Sequence, residues 1–369
     1  MDQGYSNFDQ PQQPQPVRSE VVSERPTSYP TRQSGCLGRA LLVFVSLGLL
    51  GSVAVNFLLL MALAISGGLS GGADERVQEK HYALNRLGTD KIAVISIEGT
   101  ILSGEGFFKN QIDHARKEAK EGRLKGIVLR VNSPGGTIYG SDYMLHHLRK
   151  LKTETQVPVV VSMGGVAASG GYYVSMCVGD TANTIFAEPS TWTGSIGVLI
   201  PHYNLAELMN KWGIEDDHVA SGPLKTMGSL ARKMTPQERQ IFQSLVNDGF
   251  RQFKDVIKSG RPKFRKNPEV LDRLATGQIY TADQAVSNGL VDKIGYVEDA
   301  IDRVIELAHL QKSNVKVVKY KAEPSLSELF LGKSPSHAKF DLAAILDSTT
   351  PRGYYLCTWL PALVGTKQE

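Results

Sequence analysis

The stretch GGVAASGGYY (164–173) sets a single serine, Ser169, among small residues and glycines, with two tyrosines behind it. A serine that attacks a carbonyl needs such a setting. At a tight strand-to-helix turn, only glycine or alanine beside the hydroxyl leaves room for a substrate backbone. An ordinary small-residue helix start packed on a strand has the same composition, so Ser169 alone leaves both readings open. A second run, VNSPGG (131–136), ends in glycines in the same way. Turns of this kind at the ends of neighbouring parallel strands line one crevice. Backbone N–H groups from two such turns, aimed at one spot, make an oxyanion hole.

A serine hydroxyl also needs a base. His146, His147, His202 and His218 are candidates by type. His146 and His147 fall on adjacent helical positions, so at most one of them faces a crevice. Nothing in the spacing selects His202 or His218. Lysine serves as a base when burial leaves it neutral. Most lysines here stand in charged clusters such as RKEAKEGRLK (116–125), but Lys225 in SGPLKTMGS (221–229) has small and apolar neighbours and no nearby acid. A surface-loop lysine has the same neighbours, so spacing alone does not decide between the two.

The elements that must hold these residues follow from the rest of the chain. With 369 residues there is room for one large domain or two ordinary ones. A formal net charge of +4, without a basic run or aromatic–basic alternation, excludes nucleic acid as a partner. Cys36, Cys177 and Cys357 are far apart, with no CxxC spacing and no histidine at ligand distance. No disulfide framework, metal or cofactor is expected. Residues 1–39 are rich in Gln, Pro and Ser, which predicts a disordered tail. Residues 40–65 carry no charge and one strongly polar residue, Asn56. That run exceeds the roughly 20 residues needed to cross a bilayer, and it predicts a transmembrane helix over 40–66 in contact with membrane lipid. Its length and long leader fit a cleaved signal peptide poorly. Arg39 favours an N-terminus inside, while Arg76, Lys80 and Arg86 beyond the span reduce the asymmetry. Cys36 stands at the expected cytoplasmic edge, acylated or unmodified.

Residues 67–89, opening with the glycine-rich end of SGGLSGGADE, read as a linker. Beyond them apolar runs alternate with helical patterns. KIAVISIEG (91–99), GIVLRVNSPGG (126–136) and VPVVVSMGG (157–165) read as strands, and TIFAEPST (184–191) follows later in the alternation. NQIDHARKEAKEG (110–122) and SDYMLHHLRKLK (141–152) read as helices, the second capped by Ser141, and Thr235-Pro236 opens a long helix over 236–258. Such alternation predicts an α/β domain with a largely parallel sheet and right-handed crossovers.

Six motifs occur in order: IEGTI (97–101), VNSPGG, ASGGYY (168–173), TGSIGV (193–198), LKTMGS (224–229) and GLVDKIG (289–295). In these the chain resembles the signal peptide peptidase A family over about residues 90–310, in its short form with one copy of the motifs. The resemblance implies a ClpP/crotonase-type α/β fold of repeated β-β-α units with a largely parallel sheet, preceded by one transmembrane helix. It implies Ser169 as nucleophile, Lys225 as general base, the N–H groups of Gly136 and Gly170 as the oxyanion hole, and Ser195 as the residue orienting the lysine amine. It further implies a membrane-anchored serine endopeptidase acting on remnant signal peptides and unfolded apolar segments. It places the peptidase domain, 90–320, outside the cytoplasm at a bacterial inner membrane. It also implies ring-shaped homo-oligomers in which neighbours share dyads. One departure is VSMCVGDTANTIFAEPSTW (174–192), longer than the family spacing, which predicts an enlarged turn at Gly179–Asn183 and a buried structural Cys177. A crotonase-like acyl-CoA enzyme or a non-catalytic membrane scaffold would share the fold. The tail, 321–369, offers a short amphipathic helix in HAKFDLAAILDS and an apolar, aromatic stretch without a period in PRGYYLCTWLPALVG. Packing on the domain, on a membrane or on a neighbouring subunit all suit it.

Overall fold

An uncharged window, Leu41–Leu58, with a mean hydropathy of 2.3, lies within one helix, α1 (Cys36–Leu69). The computed structural model describes residues 36–69, 77–323 and 353–356. The chain divides into two units, Met1–Leu69 and Ser70–Glu369. The helix of the first is 34 residues long and apolar enough to cross a membrane. It runs past the apolar stretch at both ends, because no proline interrupts residues 36–69.

In the second unit the elements follow in this order. β1 (Val77–Leu84), β2 (Asp90–Glu98), α2 (Phe107–Lys120), β3 (Leu124–Ser133) and β4 (Gly135–Thr137) lead to α3 (Ile138–Thr155). β5 (Val159–Ala168), α4 (Gly170–Ser175), β6 (Ile185–Ala187) and β7 (Trp192–Gly194) follow. Then come α5 (Ala206–Lys211), α6 (Pro236–Gly260), α7 (Pro262–Lys266), α8 (Pro268–Leu274), β8 (Ile279–Thr281) and α9 (Ala282–Asn288). β9 (Lys293–Ile294), α10 (Val297–Leu307), β10 (Val315–Ala322) and β11 (Tyr354–Leu356) close the described chain.

The main sheet runs β1-β10-β2-β3-β5-β6-β9, with β7 on β5 and β8 on β7. Every pair from β10 to β9 along that path is parallel; β1–β10 and β7–β8 are antiparallel. The expected α/β fold with a largely parallel sheet is therefore present. Alternate residues of each strand sort to opposite faces. Ala93, Ile95, Leu129, Val131, Val161 and Met163 pack with α2, α3 and α4. Ile92, Val94, Val128, Val160 and Phe186 pack on Val297, Ile301 and Val304 of α10. With both faces covered, the central strands are near-continuous apolar runs. Each fully buried Val, Ile or Leu is worth roughly 1.5–3 kcal/mol of apolar burial.

Three local details differ from the sequence reading. The cap of α3 is Thr137, whose hydroxyl accepts from Gly140 N, and Ser141 lies one turn inside with its own hydroxyl donated to the Thr137 carbonyl. The helix starts early because the chain leaves β4 directly into it. β1 lies inside the stretch read as linker; its polar, exposed residues hide a strand that pairs along β10 from Val77↔Ala322 to Leu84↔Lys316. The segment 353–356, in the tail, contributes β11, antiparallel to β4. HAKFDLAAILDS and Cys357 lie outside the described residues. Gly179 (φ 64) and Asn183 (φ 56) bracket the turn after α4 where the longer spacing was expected. Cys177 is buried there, and burial pushes its thiol up to about 12.

Candidate active site

β5 delivers Ser169 to the edge of the sheet. The strand ends at Ala168, Ser169 takes φ 52 and ψ −114, and α4 begins at Gly170. A left-handed φ at a residue with a side chain is strained, and it persists only where the surroundings hold it. They do so here. Ser169 N donates to the Gly194 carbonyl at 2.7 Å, and Tyr173 N donates to the Ser169 carbonyl at 2.8 Å. The side chain is 1 % exposed, and its Oγ has no hydrogen-bond partner among the described residues. A buried hydroxyl left unpaired costs about 1–3 kcal/mol, which sets this atom apart from an ordinary core serine.

β7 runs beside β5 with Ala168 opposite Gly194, which sets Ser195 next to Ser169. Ser195 has φ 51 and donates its N–H to the Gln278 carbonyl at 2.7 Å. Two serines in left-handed conformation thus stand at the ends of adjacent strands.

The glycine turn after β3 closes the other side. A Cβ on Gly170 would lie 3.1 Å from Gly135 Cα and 3.2 Å from Gly136 N, so the two turns touch backbone to backbone. Gly136 is bracketed by the backbone of Ile101: Ile101 N donates to the Gly135 carbonyl and Thr137 N donates to the Ile101 carbonyl, both at 2.8 Å. A side chain at Gly136 would overlap that Ile101 carbonyl. Gly135 has φ +96; a Cβ there would sit 2.6 Å from Gly170 N, 3.0 Å from Ser169 Cβ and in collision with the Tyr355 carbonyl oxygen. Ser169, Gly170, Gly136 and Ser195, predicted as partners from sequence, are therefore gathered at one place.

Lys225 is not brought into hydrogen-bonding contact with Ser169. It lies exposed on the long segment between β7 and α6, its N–H donating to the Gly222 carbonyl at 3.1 Å. The segment is tied to α6 by Arg232. That guanidinium reaches the Thr226 carbonyl and hydroxyl at 3.2 Å each and pairs with Glu238 in the first turn of the helix. The hydrogen bond from Arg232, followed by the Thr235 backbone, holds the Glu238 carboxyl down to about 2. None of the candidate histidines reaches the serine. His146 and His147 meet edge to face on α3 with ring centroids 5.1 Å apart, His202 Nε2 lies 3.3 Å from the Ser229 carbonyl, and His218 Nδ1 lies 2.9 Å from Asp216.

Two contributors escaped the sequence reading. Asn132 Oδ1 accepts from Val166 N at 3.1 Å, fixing the β3 turn against β5. Ser141 Oγ is the nearest atom to a Cβ built on Gly170, so it packs behind that turn. An Asn just before a Ser-Pro-Gly-Gly turn was a usable signal; Ser141, read as a cap, was not.

With this geometry in hand, residues 151–311, which hold Ser169, Ser195 and Lys225, match the sequence profile described as Peptidase family S49. The chain is 37% identical over 240 residues to the "Putative signal peptide peptidase SppA" of Enterococcus faecium, covering 63% of this chain and 67% of that protein. It is 35% identical over 227 residues to the "Putative protease slr0021" of Synechocystis sp., covering 62% and 78%. It is 34% identical over 268 residues to "Protease 4" of Salmonella typhi, covering 70% of this chain but only 41% of that longer protein.

Proposed function

The chain belongs to peptidase family S49, and on that premise we propose that it is a membrane-anchored serine endopeptidase working through a Ser169–Lys225 dyad. The observation that carries the proposal is Ser169: a buried, unpaired hydroxyl in a strained turn, beside the backbone of Gly136 and Gly170. As general base, the Lys225 amine takes the Ser169 proton as Oγ attacks a peptide carbonyl. The N–H groups of Gly136 and Gly170 receive the charge that develops on the carbonyl oxygen. Lys225 returns the proton to the leaving amine, and a water deprotonated by the same amine hydrolyses the acyl-serine. Ser195, on the neighbouring strand end, orients the amine. No metal or cofactor has a part in these steps. The peptidase profile weighs against an acyl-CoA enzyme of the same fold.

Substrates are remnant signal peptides and other unfolded apolar segments at the membrane. α1 supplies the anchor, with the N-terminus in the cytoplasm and the peptidase unit outside; Arg39 beside the apolar run supports this orientation. Protease added to intact spheroplasts should digest the peptidase unit, and digestion only after the cells are opened would reverse the topology.

A fluorophosphonate probe tests the chemistry. It should label the wild-type chain at Ser169, and Ser169→Ala should take no label. Lys225→Ala should slow labelling on the order of a thousandfold while leaving the melting temperature unchanged. A Ser169→Ala chain that still cleaves peptides would remove Ser169 as nucleophile.

A further inference from the structure

The loop between β2 and α2, residues 99–106, holds a backbone clamp on the glycine turn beside Ser169. Ile101 N donates to the Gly135 carbonyl and Thr137 N donates to the Ile101 carbonyl, both at 2.8 Å, with Gly136 between them. Gly99 and Gly106 bracket the loop, each at φ +70, and a Cβ on either would meet no heavy atom within 4 Å. Such ends turn the chain easily and brace it little. On the side away from the glycine turn, Ile101 borders a cavity of about 190 Å³ between β2, α2 and α3.

At roughly 30 Å³ for each water-sized group, that is room for about six. Ile97, Phe108 and Met144 give the cavity apolar walls. Its polar lining is of one kind. Gln111 is only 3 % exposed, and its amide oxygen has no hydrogen-bond partner among the described residues; the buried Ser96 hydroxyl has none either. Glu98 and Glu105, both exposed, add carboxylates. Glu98 pairs with Lys319 at 3.1 Å, whereas Glu105 accepts from the neutral Tyr139 hydroxyl at 2.8 Å and forms no ion pair among the described residues. No Lys, Arg or His among them lines the cavity. An anion would face two carboxylates here, and a hydrocarbon would leave Gln111 and Ser96 unpaired. An ammonium on a short aliphatic stem suits every part of the lining. It brings three N–H donors and no acceptor, a charge for Glu105, and methylenes for the walls.

We propose that this cavity binds a primary ammonium on an aliphatic stem, from a lysine side chain or a free amine, and that its occupancy speeds attack by Ser169. The ammonium bridges Ser96 of β2, Gln111 of α2 and Glu105 of the loop. Pinning Glu105 fixes the loop against both elements, and Ile101 with it. The clamp on Gly135 and Thr137 then holds the Gly136 N–H where charge develops on the substrate carbonyl. The effect on rate rests on Ser169 being the nucleophile; the binding does not.

The test titrates n-pentylamine, protonated at neutral pH, into the full chain in detergent by calorimetry, with n-pentanol as the neutral control of equal length. The amine should bind saturably and about tenfold more tightly than the alcohol. Glu105→Gln removes the charge and Gln111→Leu the buried acceptor; each should weaken the amine about tenfold. Saturating amine should speed fluorophosphonate labelling of the wild-type chain about fivefold. Without amine, both variants should label at the wild-type rate, since neither residue belongs to the catalytic group. Nα-acetyl-lysine methylamide separates the sources: binding as tight as pentylamine assigns the site to a lysine side chain, and pentylamine alone binding assigns it to a free amine. No saturable binding, equal binding of the alcohol, undiminished binding in both variants, or saturation with no change in labelling overturns the proposal. Labelling of a chain that binds no amine leaves the peptidase and removes this site. Amine binding to a chain that takes no label at all removes the peptidase, and with it the effect on Ser169.

Discussion

Ser169 and Ser195 are the two non-glycine residues whose left-handed φ falls at the site, at 52° and 51°. Neither side chain is of the kind that visits this region readily, so the strain is held by the bonds to Gly194 and Gln278. The turn positions are readable in the sequence, because a glycine adjoins each serine, Gly170 after Ser169 and Gly194 before Ser195. The strain on the serines themselves is not, because it is imposed by strands that meet only after folding. Gly136 offers a direct probe of the same geometry. An added methyl would meet the Ile101 backbone, whose carbonyl carbon and nitrogen lie 2.5 and 2.7 Å from its position. Backbone cannot step aside as a flexible side chain can, so β4 must move and carry its N–H with it. Gly136→Ala should therefore lower kcat by about 10²–10³, the usual effect of losing one oxyanion donor, with a smaller change in KM. A variant with wild-type kcat would show that this N–H is not in the oxyanion hole.

At the scale of elements, α6 does more than cover the sheet. Thr235 and Glu238 form its capping box, and Glu238 also grips Arg232, which holds Thr226 next to Lys225. Glu238→Gln keeps the reciprocal cap, since glutamine can accept from the Thr235 N–H, but removes the ion pair. Peptidase activity should fall by about tenfold as the lysine segment loosens. The pH dependence gives an independent sign. A carboxyl held down to about 2, below the ordinary 4.5, stabilises the fold fully above 4.5 and loses that contribution as pH falls toward 2. Glu79 behaves alike: burial acts to raise it, but hydrogen bonds with Glu118, Lys91 and His114 outweigh burial and hold it to about 2. Melting temperatures of wild type and Glu238→Gln should thus converge between pH 4.5 and 2, with the Glu79 share remaining in both. Parallel curves would mean that Arg232 does not depend on the charge. Of the capping pair, only Thr235 was read from the sequence, as the helix start in Thr235-Pro236, and the strand–helix alternation was legible as well, because those signals are local. β1 and β11 were not. β1 shows mostly exposed polar residues, and β11 is three residues long with partners more than 150 positions away.

At the scale of the whole molecule, the buried Ser169 hydroxyl has no hydrogen-bond partner among the described residues and Lys225 is exposed, so the proposed dyad is open to completion by a neighbouring chain. The segment carrying Lys225 also exposes large apolar side chains: Tyr203 at 72%, Leu208 at 52%, Trp212 at 76% and Val219 fully. Patches of this kind occur at protein–protein and membrane contact sites, and a shared dyad would make this one a contact with another chain. In a ring of identical chains, this segment would cover its neighbour's crevice, bring Lys225 to the neighbour's Ser169, and strip water from the amine. Desolvation favours the neutral form, which a base must have. Assembly would then switch the enzyme on, since an isolated chain holds the nucleophile and the oxyanion hole without a base. Co-assembling Ser169→Ala chains with Lys225→Ala chains decides the matter. Each is inactive alone, yet mixed rings contain sites with an intact serine from one chain and an intact lysine from the next. With random mixing about a quarter of the sites should be restored, an appreciable fraction of wild-type activity that neither parent approaches. Mixed rings, verified by pull-down through a tag on one partner, that stay as inactive as the parents would place the dyad within one chain. Trp212→Asp adds a second reading: if the patch builds the shared site, this change should disperse the ring and abolish activity together, although Trp212 has no place in the chemistry.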